Sequence, residues 1–515
     1  MTGDSTREQR WRDRRFVGGV AIGVVVALSA ALAVALQRNG HTQGDDFALY
    51  LRQARSIFDG DTAQVVADNR FSVTFSGGSF SPIAYPWGLP LLLSPFVRFW
   101  GLDYDRLKIV IVACFCLWVL LVHGVVRRRI GRVPAVAIAL AVGTVPVLLS
   151  HADSLLSEFP QAAAVAALIW WLDRVRTRSD LIGASTRDLA IVGGLIAVAF
   201  NIRRESLVLV VAIALVQVGE LIGRWRRDGW TTTPRWPWRA LLVPHLAFAG
   251  IVAGFQLLLP TMLLPDNADS GPKHIDDRLR EWPAQLADQL GLYPHHGIGM
   301  FALGLALVGI GVGIRRRPGL DGPLAAIAVC SVLAVSTHFR FVGRYYFQVV
   351  PWVLYFGTVA VMEAVRLLVG WWHSPWQRRL VVAGGMVPLL IVIGVHANKL
   401  PSRVGAAQDF NTAGRQQVGP THEDYAPVYA AVAATTGPDD VIWYFRARTM
   451  TLLTDRRAIQ TSNIERGEQM ADFVALNRRS DFYEPKIDDT VAIARGWVKV
   501  WEDDNWVIWD LHPAG

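Results

Sequence analysis

Cysteine is nearly absent from this 515-residue sequence, which contains three. Cys114 and Cys116 lie within one apolar stretch and Cys330 lies within another. The sequence after residue 330 has no cysteine at all. A disulfide framework and a thiolate metal site are therefore both excluded for the C-terminal part of the chain.

Charged residues are also scarce, at 18% of the sequence, whereas 52% of the residues are hydrophobic and the mean hydropathy is +0.30. The apolar residues form runs of about 17–22 residues, the length that a helix needs to cross a hydrocarbon core of roughly 30 Å. The sequence therefore predicts an α-helical polytopic membrane protein with about eleven transmembrane helices. The predicted spans are 16–36, 107–126, 133–150, 159–173, 188–201, 205–222, 240–260, 297–314, 322–338, 349–369 and 380–397.

Two parts of this assignment allow a different interpretation. The stretch 86–100 is too short for a span and is typical of a re-entrant or surface helix. The pair of spans between 188 and 222 is interrupted by "NIRRES" and also allows another division. The first span is too long for the core of a signal peptide, and the residues after it make a poor cleavage site, which favours an uncleaved anchor.

The net charge of +8 comes mainly from basic clusters in short segments between the spans. In a soluble chain such an excess would suggest a nucleic-acid partner, but here the clusters alternate with the spans and all fall on one side. By the positive-inside rule that side is cytoplasmic. We therefore expect a multi-pass protein of the plasma membrane, with a cytoplasmic N-terminus and its C-terminal part outside. The clusters lie at 10–15, 127–132, 173–178, 224–227, 315–318 and 377–379.

The sequence changes character after the last span, which predicts a membrane domain over 1–397 and a small extracytoplasmic α/β domain over 398–515. A helix is predicted over 423–437 and a strand over "DVIWYF" at 440–445. A second helix is predicted over 465–480. The alternating stretch "GWVKVWEDDNWVIWDL" at 496–511 surrounds a polar turn and predicts a β-hairpin.

Nearly all polar residues that need an explanation lie in the predicted outer loops. Carboxylates there can act as a general base or bind a hard divalent cation. Arginines can hold a phosphate by bidentate hydrogen bonds. We therefore expect an enzyme that uses a phosphate-activated donor in the outer leaflet. The residues are Asp45 and Asp46 in the first loop; His151, Asp153 and Glu158 in the second; Arg203, Arg204 and Glu205 in the third; and His338, Arg340, Arg344, Tyr345 and Tyr346 in the fifth.

Each group also has a simpler interpretation. Adjacent acids at a membrane exit are often only solvated, and Asp153 or Glu158 would suit the first turn of a helix starting near 160. Arg203 and Arg204 would reach lipid headgroups as snorkelling side chains. The neighbouring pair His295 and His296 is compatible with a metal site, but such pairs on irregular backbone usually bind nothing.

Four motifs occur in a particular order after the two acids. They are "YPWGLPLLLSPF" at 85–96, "SEFP" at 157–160, "GRYYFQVVPW" at 343–352 and "WYFRARTMTLLTDRRA" at 443–458. In this order the sequence resembles the glycosyltransferase-C (GT-C) superfamily, in particular the branch that contains protein O-mannosyltransferases and lipid A aminoarabinose transferases. The last motif departs from the pattern of that branch, because Asp455 stands where glycine is usual.

The resemblance implies a sugar donor linked to polyprenyl phosphate, an extracytoplasmic glycan, lipid or protein acceptor, and inversion at the anomeric carbon. It implies Asp45 as the general base, Asp46 as the neighbour that orients the acceptor or helps to hold a cation, and Glu158 as the catalytic carboxylate of the second loop. Near the donor phosphate it implies Arg344 and Tyr345, joined by Arg340 and Arg204. The secondary candidates are His151, Asp153 and Tyr85. Many such enzymes use a divalent cation, but no ligand set is evident in the sequence.

Two other classes remain open. A transporter or flippase of lipid-linked glycans would place ionisable groups near the middle of the membrane, often in repeated halves. The predicted spans are instead polar at their outer ends. A glycan polymerase or ligase would concentrate its functional residues in one late outer loop, and the loop at 261–296 keeps that alternative open. The sugar, the acceptor and the linkage are not defined by the sequence.

Overall fold

The computed structural model describes residues 3–77, 82–228, 237–259, 275–337, 342–369, 375–479 and 487–513. Most of these residues are helical. The helices are α1 (Gly3–Ala35), α2 (Asp46–Asp59), α3 (Thr62–Phe75), α4 (Gly88–Trp100), α5 (Tyr104–Ile130), α6 (Arg132–Gly143), α7 (Pro146–His151), α8 (Glu158–Arg176), α9 (Thr186–Ile202), α10 (Val208–Asp228), α11 (Trp238–Leu258), α12 (Ile275–Gln289), α13 (His296–Arg316), α14 (Pro318–Ser336), α15 (Val350–Val369), α16 (Pro375–Thr412), α17 (Ala426–Thr435), α18 (Ala447–Thr454), α19 (Ile464–Met470) and α20 (Asp489–Ala494).

Within the described ranges, eight helical segments are long and apolar enough to cross a membrane. They belong to α1, α5, α10, α11, α13, α14, α15 and α16, the α10 and α15 segments each including a preceding 3-10 helix, Arg204–Leu207 or Gly343–Val349. The other three predicted spans correspond to α8, to α9, and to α6 with α7, which are separated at Thr144 and Val145. The prediction of a helical polytopic membrane protein is confirmed.

The helices bury one side in a shared core and expose apolar side chains on the other. Phe115 and Trp118 of α5 are fully buried and contact Phe159 of α8. In contrast, Leu246 is 64% exposed and Leu390 is 58% exposed. Exposed leucines on long apolar helices are unfavourable in water but suit the hydrocarbon of a bilayer.

A network of buried charges joins the bundle near the basic C-terminus of α5. The Arg129 guanidinium forms an ion pair with Asp173 and lies 3.1 Å, at Nε, from Asp321 Oδ1. Asp321 also pairs with Arg317 (3.0 Å) and accepts a hydrogen bond from the Tyr355 hydroxyl (2.7 Å). Because charges are costly in an apolar interior unless they are paired, this network holds α5, α8, α14 and α15 in one arrangement.

The C-terminal part contains a five-stranded sheet in the order β2-β1-β3-β5-β4. Its parallel half pairs β1 with β2 and β3, and its antiparallel half pairs β5 with β3 and β4. The predicted strand within 440–445 and the predicted hairpin are both confirmed. The strands are β1 (Val441–Trp443), β2 (Arg457–Ile459), β3 (Phe473–Asn477), β4 (Val498–Glu502) and β5 (Trp506–Asp510).

The helix predicted over 465–480 is only partly correct. α19 ends at Met470, and β3 begins three residues later between β1 and β5. The three central residues of β3 are buried. A short apolar run that is buried on both faces has no clear periodicity, so the pattern did not distinguish this inner strand from a helix.

α16 connects the bundle to the sheet domain without a break. It has 38 residues and is therefore about 57 Å long. The domain boundary predicted at 397 falls inside this helix. The two predicted domains are therefore joined at that point by continuous helix and not by a loop.

The sheet domain also rests on the segment between α1 and α5. The Ser72 hydroxyl of α3 donates to the carbonyl of Ala458 in β2 (2.6 Å), and the Thr449 hydroxyl of α18 donates to the carbonyl of Gly44 (2.9 Å). These contacts bring the first residues of α18 to the N-terminus of α2.

Candidate active site

The N-terminus of α2 carries the two adjacent carboxylates, Asp45 at its N-cap position and Asp46 in its first turn. The loop before them is held by Lys108, which is fully buried and donates to the carbonyl of Arg38 (2.7 Å). The Lys108 ammonium also lies 2.9 Å from Asp153 Oδ1. This buried ion pair positions the chain that leads to the two acids.

Asp45 is almost buried, with 10% of its side chain exposed. Its Oδ2 lies 3.6 Å from Nη1 of Arg446, while Oδ1 has no hydrogen-bond partner among the described residues. Burial raises the pKa of Asp45, and the nearby guanidinium groups of Arg446 and Arg448 oppose this effect. A carboxylate with a raised pKa and an unpartnered oxygen is well suited to accept a proton.

Asp46 has a different environment. Its Oδ1 accepts a hydrogen bond from the Tyr85 hydroxyl (2.6 Å), and its Oδ2 lies 3.3 Å from Nη2 of Arg344. The side chain of Gln53 bonds to both the backbone N–H and the carbonyl of Tyr85, at 3.1 and 3.0 Å. Burial raises the pKa of Tyr85, so its hydroxyl remains a donor.

Glu158 begins α8 and is buried, with 6% of its side chain exposed. Its Oε1 lies 3.1 Å from Nη1 of Arg203 and 2.9 Å from Nε of Arg344, while Oε2 has no hydrogen-bond partner among the described residues. Arg203 also pairs with Glu205 (2.8 Å). The Tyr345 ring lies 4.4 Å from the Arg203 guanidinium and 5.6 Å from that of Arg344. Arg344 thus bridges Asp46 and Glu158.

The sheet domain adds two further arginines through the start of α18. Arg446 lies beside Asp45, as described above. Arg448 donates to Asn69 Oδ1 (2.9 Å) and to the carbonyl of Pro82 (2.6 Å), and its Nη1 lies 3.4 Å from the Tyr85 hydroxyl. The cluster is therefore built from the loop segment of α2 to α4, the N-terminus of α8, the two 3-10 helices and the sheet domain.

The overall arrangement matches solved structures of membrane proteins. The structure of ArnT from Cupriavidus metallidurans bound to undecaprenyl phosphate superposes with a TM-score of 0.56 at 11% identity, over 95% of this chain and 98% of that one. The same protein in the apo state also gives 0.56, at 14% identity. The oligosaccharyltransferase AglB from Archaeoglobus fulgidus, in complex with an inhibitory peptide and a dolichol-phosphate, gives 0.50 at 13% identity, over 88% of this chain and 69% of that one.

This chain has the GT-C fold. The sequence identities are low, so the similarity concerns the fold alone. The sequence itself matches no family model and no curated protein.

Several predicted site residues make contacts other than those expected of them. Asp153 binds Lys108 and not the cluster around Glu158. His151 lies 3.1 Å, at Nδ1, from the carbonyl of Val147 and packs against Phe347. The Arg204 guanidinium packs over the Phe200 ring, 5.1 Å from its centroid. Arg340 and His338 lie outside the described residues.

Sequence reasoning assigned no site role to three arginines of the cluster. Arg203 was a candidate from the third outer loop with a snorkelling side chain as the alternative, and that alternative is wrong, because Arg203 is buried against Glu158 and Glu205. Arg446 and Arg448 lie within the fourth motif, but nothing in that motif indicates contact with Asp45 or Tyr85. The order of the motifs along the chain was the one signal that could have led to them.

Across the ranges that the structure describes, no three His, Cys, Asp or Glu side chains lie together in a way that would hold a metal ion. His295 is the N-cap of α13, where its Nδ1 accepts a hydrogen bond from the Gly297 N–H (3.1 Å).

Proposed function

We propose that the protein is an integral-membrane glycosyltransferase that moves a sugar from a polyprenyl-phosphate donor to an acceptor hydroxyl, with inversion at the anomeric carbon. Two observations carry the proposal together. Asp45 has a buried, unpartnered carboxylate oxygen, and the adjacent Asp46 holds, with Glu158, the arginine Arg344. The fold supports it, because the ArnT structure contains undecaprenyl phosphate and the AglB structure contains a dolichol-phosphate.

In the proposed reaction Asp45 acts as the general base. Its Oδ1 takes the proton from the acceptor hydroxyl while the acceptor oxygen attacks the anomeric carbon. The bond between that carbon and the phosphate oxygen breaks, and the polyprenyl phosphate leaves with the electron pair. Attack and departure on opposite faces of the carbon invert its configuration. The phosphate is a good leaving group, so the mechanism needs no separate general acid.

Arg344 is the residue proposed to stabilise the leaving phosphate. Its guanidinium is oriented by Asp46 and Glu158 and has 24% of its side chain exposed, which leaves it open to a ligand. Hydrogen-bond donors that are already oriented towards the position where charge develops in the transition state usually make the largest electrostatic contribution to catalysis. We assign Tyr345 and Arg204 to the same region, together with Arg340 from the sequence pattern.

The proposed reaction also requires a particular orientation of the protein in the membrane. The basic clusters favour a cytoplasmic N-terminus and place Asp45 and the sheet domain outside the plasma membrane. The lipid-linked donor would then approach from within the bilayer and the acceptor from the aqueous side, so the base belongs at the point where the chain leaves the membrane.

The first test is a transfer assay in membranes with radiolabelled polyprenyl-phosphate sugars. Asp45→Asn keeps the shape of the side chain but removes the base, so we expect the rate to fall by about 10²–10⁴-fold. The matched control is Asp59→Asn, because Asp59 is the half-exposed acid at the other end of α2. Equal activity of wild type and Asp45→Asn would remove Asp45 from the role of base.

The same assay separates the competing classes. Label that stays on the lipid with wild type and variant alike, for every donor, would favour a transporter or flippase. A product in which the whole lipid-linked glycan moves to the acceptor would favour a polymerase or ligase.

A further inference from the structure

Arg446 and Asp45 each leave one buried polar atom unsatisfied at the same place. The two side chains approach to 3.6 Å through Nη1 and Oδ2, yet Arg446 Nε and Asp45 Oδ1 both lack hydrogen-bond partners among the described residues. Buried polar groups are nearly always paired in folded proteins. Two neighbouring exceptions at the base of a proposed active site indicate a position where a ligand supplies the missing partners.

The two atoms require different partners. Asp45 Oδ1 accepts, so it needs an O–H group, whereas Arg446 Nε–H donates, so it needs an oxygen lone pair. The attacking oxygen gives its proton to Asp45 and one lone pair to the anomeric carbon, and a guanidinium hydrogen bond to its second lone pair would lower its nucleophilicity. A second oxygen, close to the hydroxyl that Asp45 deprotonates, satisfies Arg446 without that cost.

The charges of the site restrict the kind of acceptor further. The cluster contains four arginines and four carboxylates, so their formal charges cancel. The phosphodiester of a polyprenyl-phosphate sugar adds one negative charge. An acidic acceptor would add another in a site where charges are costly, which favours a neutral acceptor. The arginines are Arg203, Arg344, Arg446 and Arg448, and the acids are Asp45, Asp46, Glu158 and Glu205.

We propose that Arg446 determines acceptor specificity by binding an oxygen on the carbon next to the accepting hydroxyl, so that the acceptor is a neutral glycan with a vicinal diol. This inference rests on the proposed glycosyl transfer and names its acceptor class. The sheet domain then takes a direct part in recognising the acceptor, through a residue that touches it.

The test measures kcat/KM for every combination of acceptor and variant. The probes are neutral octyl glycosides with a vicinal diol, the matching glycosides deoxygenated beside the accepting hydroxyl, an octyl uronide and a serine-containing peptide. The donor is the sugar that labels native acceptors in the membrane assay. The variants are Arg446→Met, Arg446→Lys and, as a control in the same domain, Arg495→Met, since Arg495 pairs with Glu468 at the domain surface.

We expect wild type to use the diol at least tenfold better, in kcat/KM, than its deoxy partner. Arg446→Met should lower the ratio of kcat/KM between the diol and the deoxy acceptor to about one, because the bond that distinguishes them is lost. The loss of the guanidinium beside Asp45 should change both values by a common factor, which the ratio cancels. Arg446→Lys should recover part of the preference, and Arg495→Met should behave as wild type. A residue with only a structural role would lower both acceptors equally.

Four results would overturn the inference while the proposed transferase stands: equal loss on diol and deoxy acceptors, preference for the uronide, preference for the peptide, or labelling of native acceptors without use of any diol glycoside. The absence of transfer from every donor to native acceptors would instead contradict the proposed function itself.

Discussion

Asp45 and Asp46 are adjacent in the chain but have different chemical environments. Asp45 is 10% exposed and keeps one carboxylate oxygen unpartnered, whereas Asp46 is 40% exposed and binds Tyr85 and Arg344. The difference follows from helix geometry, since the side chains of adjacent residues at a helix N-terminus point in different directions. In the proposed mechanism this difference separates a proton acceptor from a residue that orients an arginine.

The raised pKa of Asp45 predicts opposite effects of pH on activity and on stability. The base works only when deprotonated, so kcat/KM should fall as pH drops through the raised pKa. The folded state binds this proton more tightly than the unfolded state, so the free energy of unfolding should rise over the same interval, down to the ordinary aspartate pKa. Activity and thermal unfolding, measured in detergent across about pH 4 to 8, check both slopes.

Asp45→Asn is the control for the pH dependence of unfolding. The variant cannot bind the proton at this position, so its free energy of unfolding should lack the contribution that Asp45 makes to the pH dependence. A variant with the same pH dependence of unfolding as wild type would show that another group titrates.

Asp455 has a φ of 56° at the C-cap of α18 and is the one non-glycine residue with positive φ among those the structure describes. This conformation explains why the resembling family has glycine there. Asp455→Ala should lower the free energy of unfolding by about 1 kcal/mol, whereas Asp455→Gly should be close to neutral. Asp455→Gly loses only a partly exposed ion pair with Arg55, worth about 0–1 kcal/mol. Thermal unfolding of both variants is the measurement. Equal losses of stability in the two variants would show that the ion pair with Arg55, and not the backbone conformation, determines the effect.

The secondary-structure elements differ in how far the sequence predicted them. Long apolar runs predicted the helices of the membrane domain, because a bilayer imposes a length and a composition that are visible in the chain. The break at Thr144 and the strand β3 were missed, because both depend on tertiary packing. Arg344 pairs with Asp46 and Glu158, which joins three of the residues that the resemblance implied for the active site. The contact between Asp45 and Arg446 was not predictable, because it joins two motifs about 400 residues apart.

The buried charge network gives a prediction for four helices at once. Arg129→Met leaves the carboxylates of Asp173 and Asp321 without their shared partner, which should cost about 3–5 kcal/mol of folding free energy. Arg127→Met is the matched control, since Arg127 is exposed in the same turn of α5. A large fall in thermal stability for the first variant only is expected. Equal behaviour of the two would show that the network adds no stability.

The molecule as a whole combines a membrane bundle with a sheet domain tied to it by α16 and by hydrogen bonds from α3. We propose that the two ends of the bundle face different compartments. The three native cysteines lie within α5 and α14, which keeps the background of thiol labelling low.

A membrane-impermeant thiol reagent tests this orientation in whole cells. Asp504→Cys, in the turn of the β4–β5 hairpin, should be labelled, and Arg178→Cys, after α8, should be labelled only once the membrane is opened. Both positions are exposed, so accessibility within the protein does not decide the result. The reverse pattern would contradict the proposed topology.

The contact between Asp45 and Arg446 has a consequence for biosynthesis. A ribosome adds about 5–20 residues per second, so the arginine is made about 20 to 80 s after the aspartate. In the proposed orientation the arginine reaches its partner only when the C-terminal segment has crossed the bilayer. The nascent chain would then lack one partner of the proposed base throughout its insertion, and truncated products that stop before residue 446 would not contain the complete cluster.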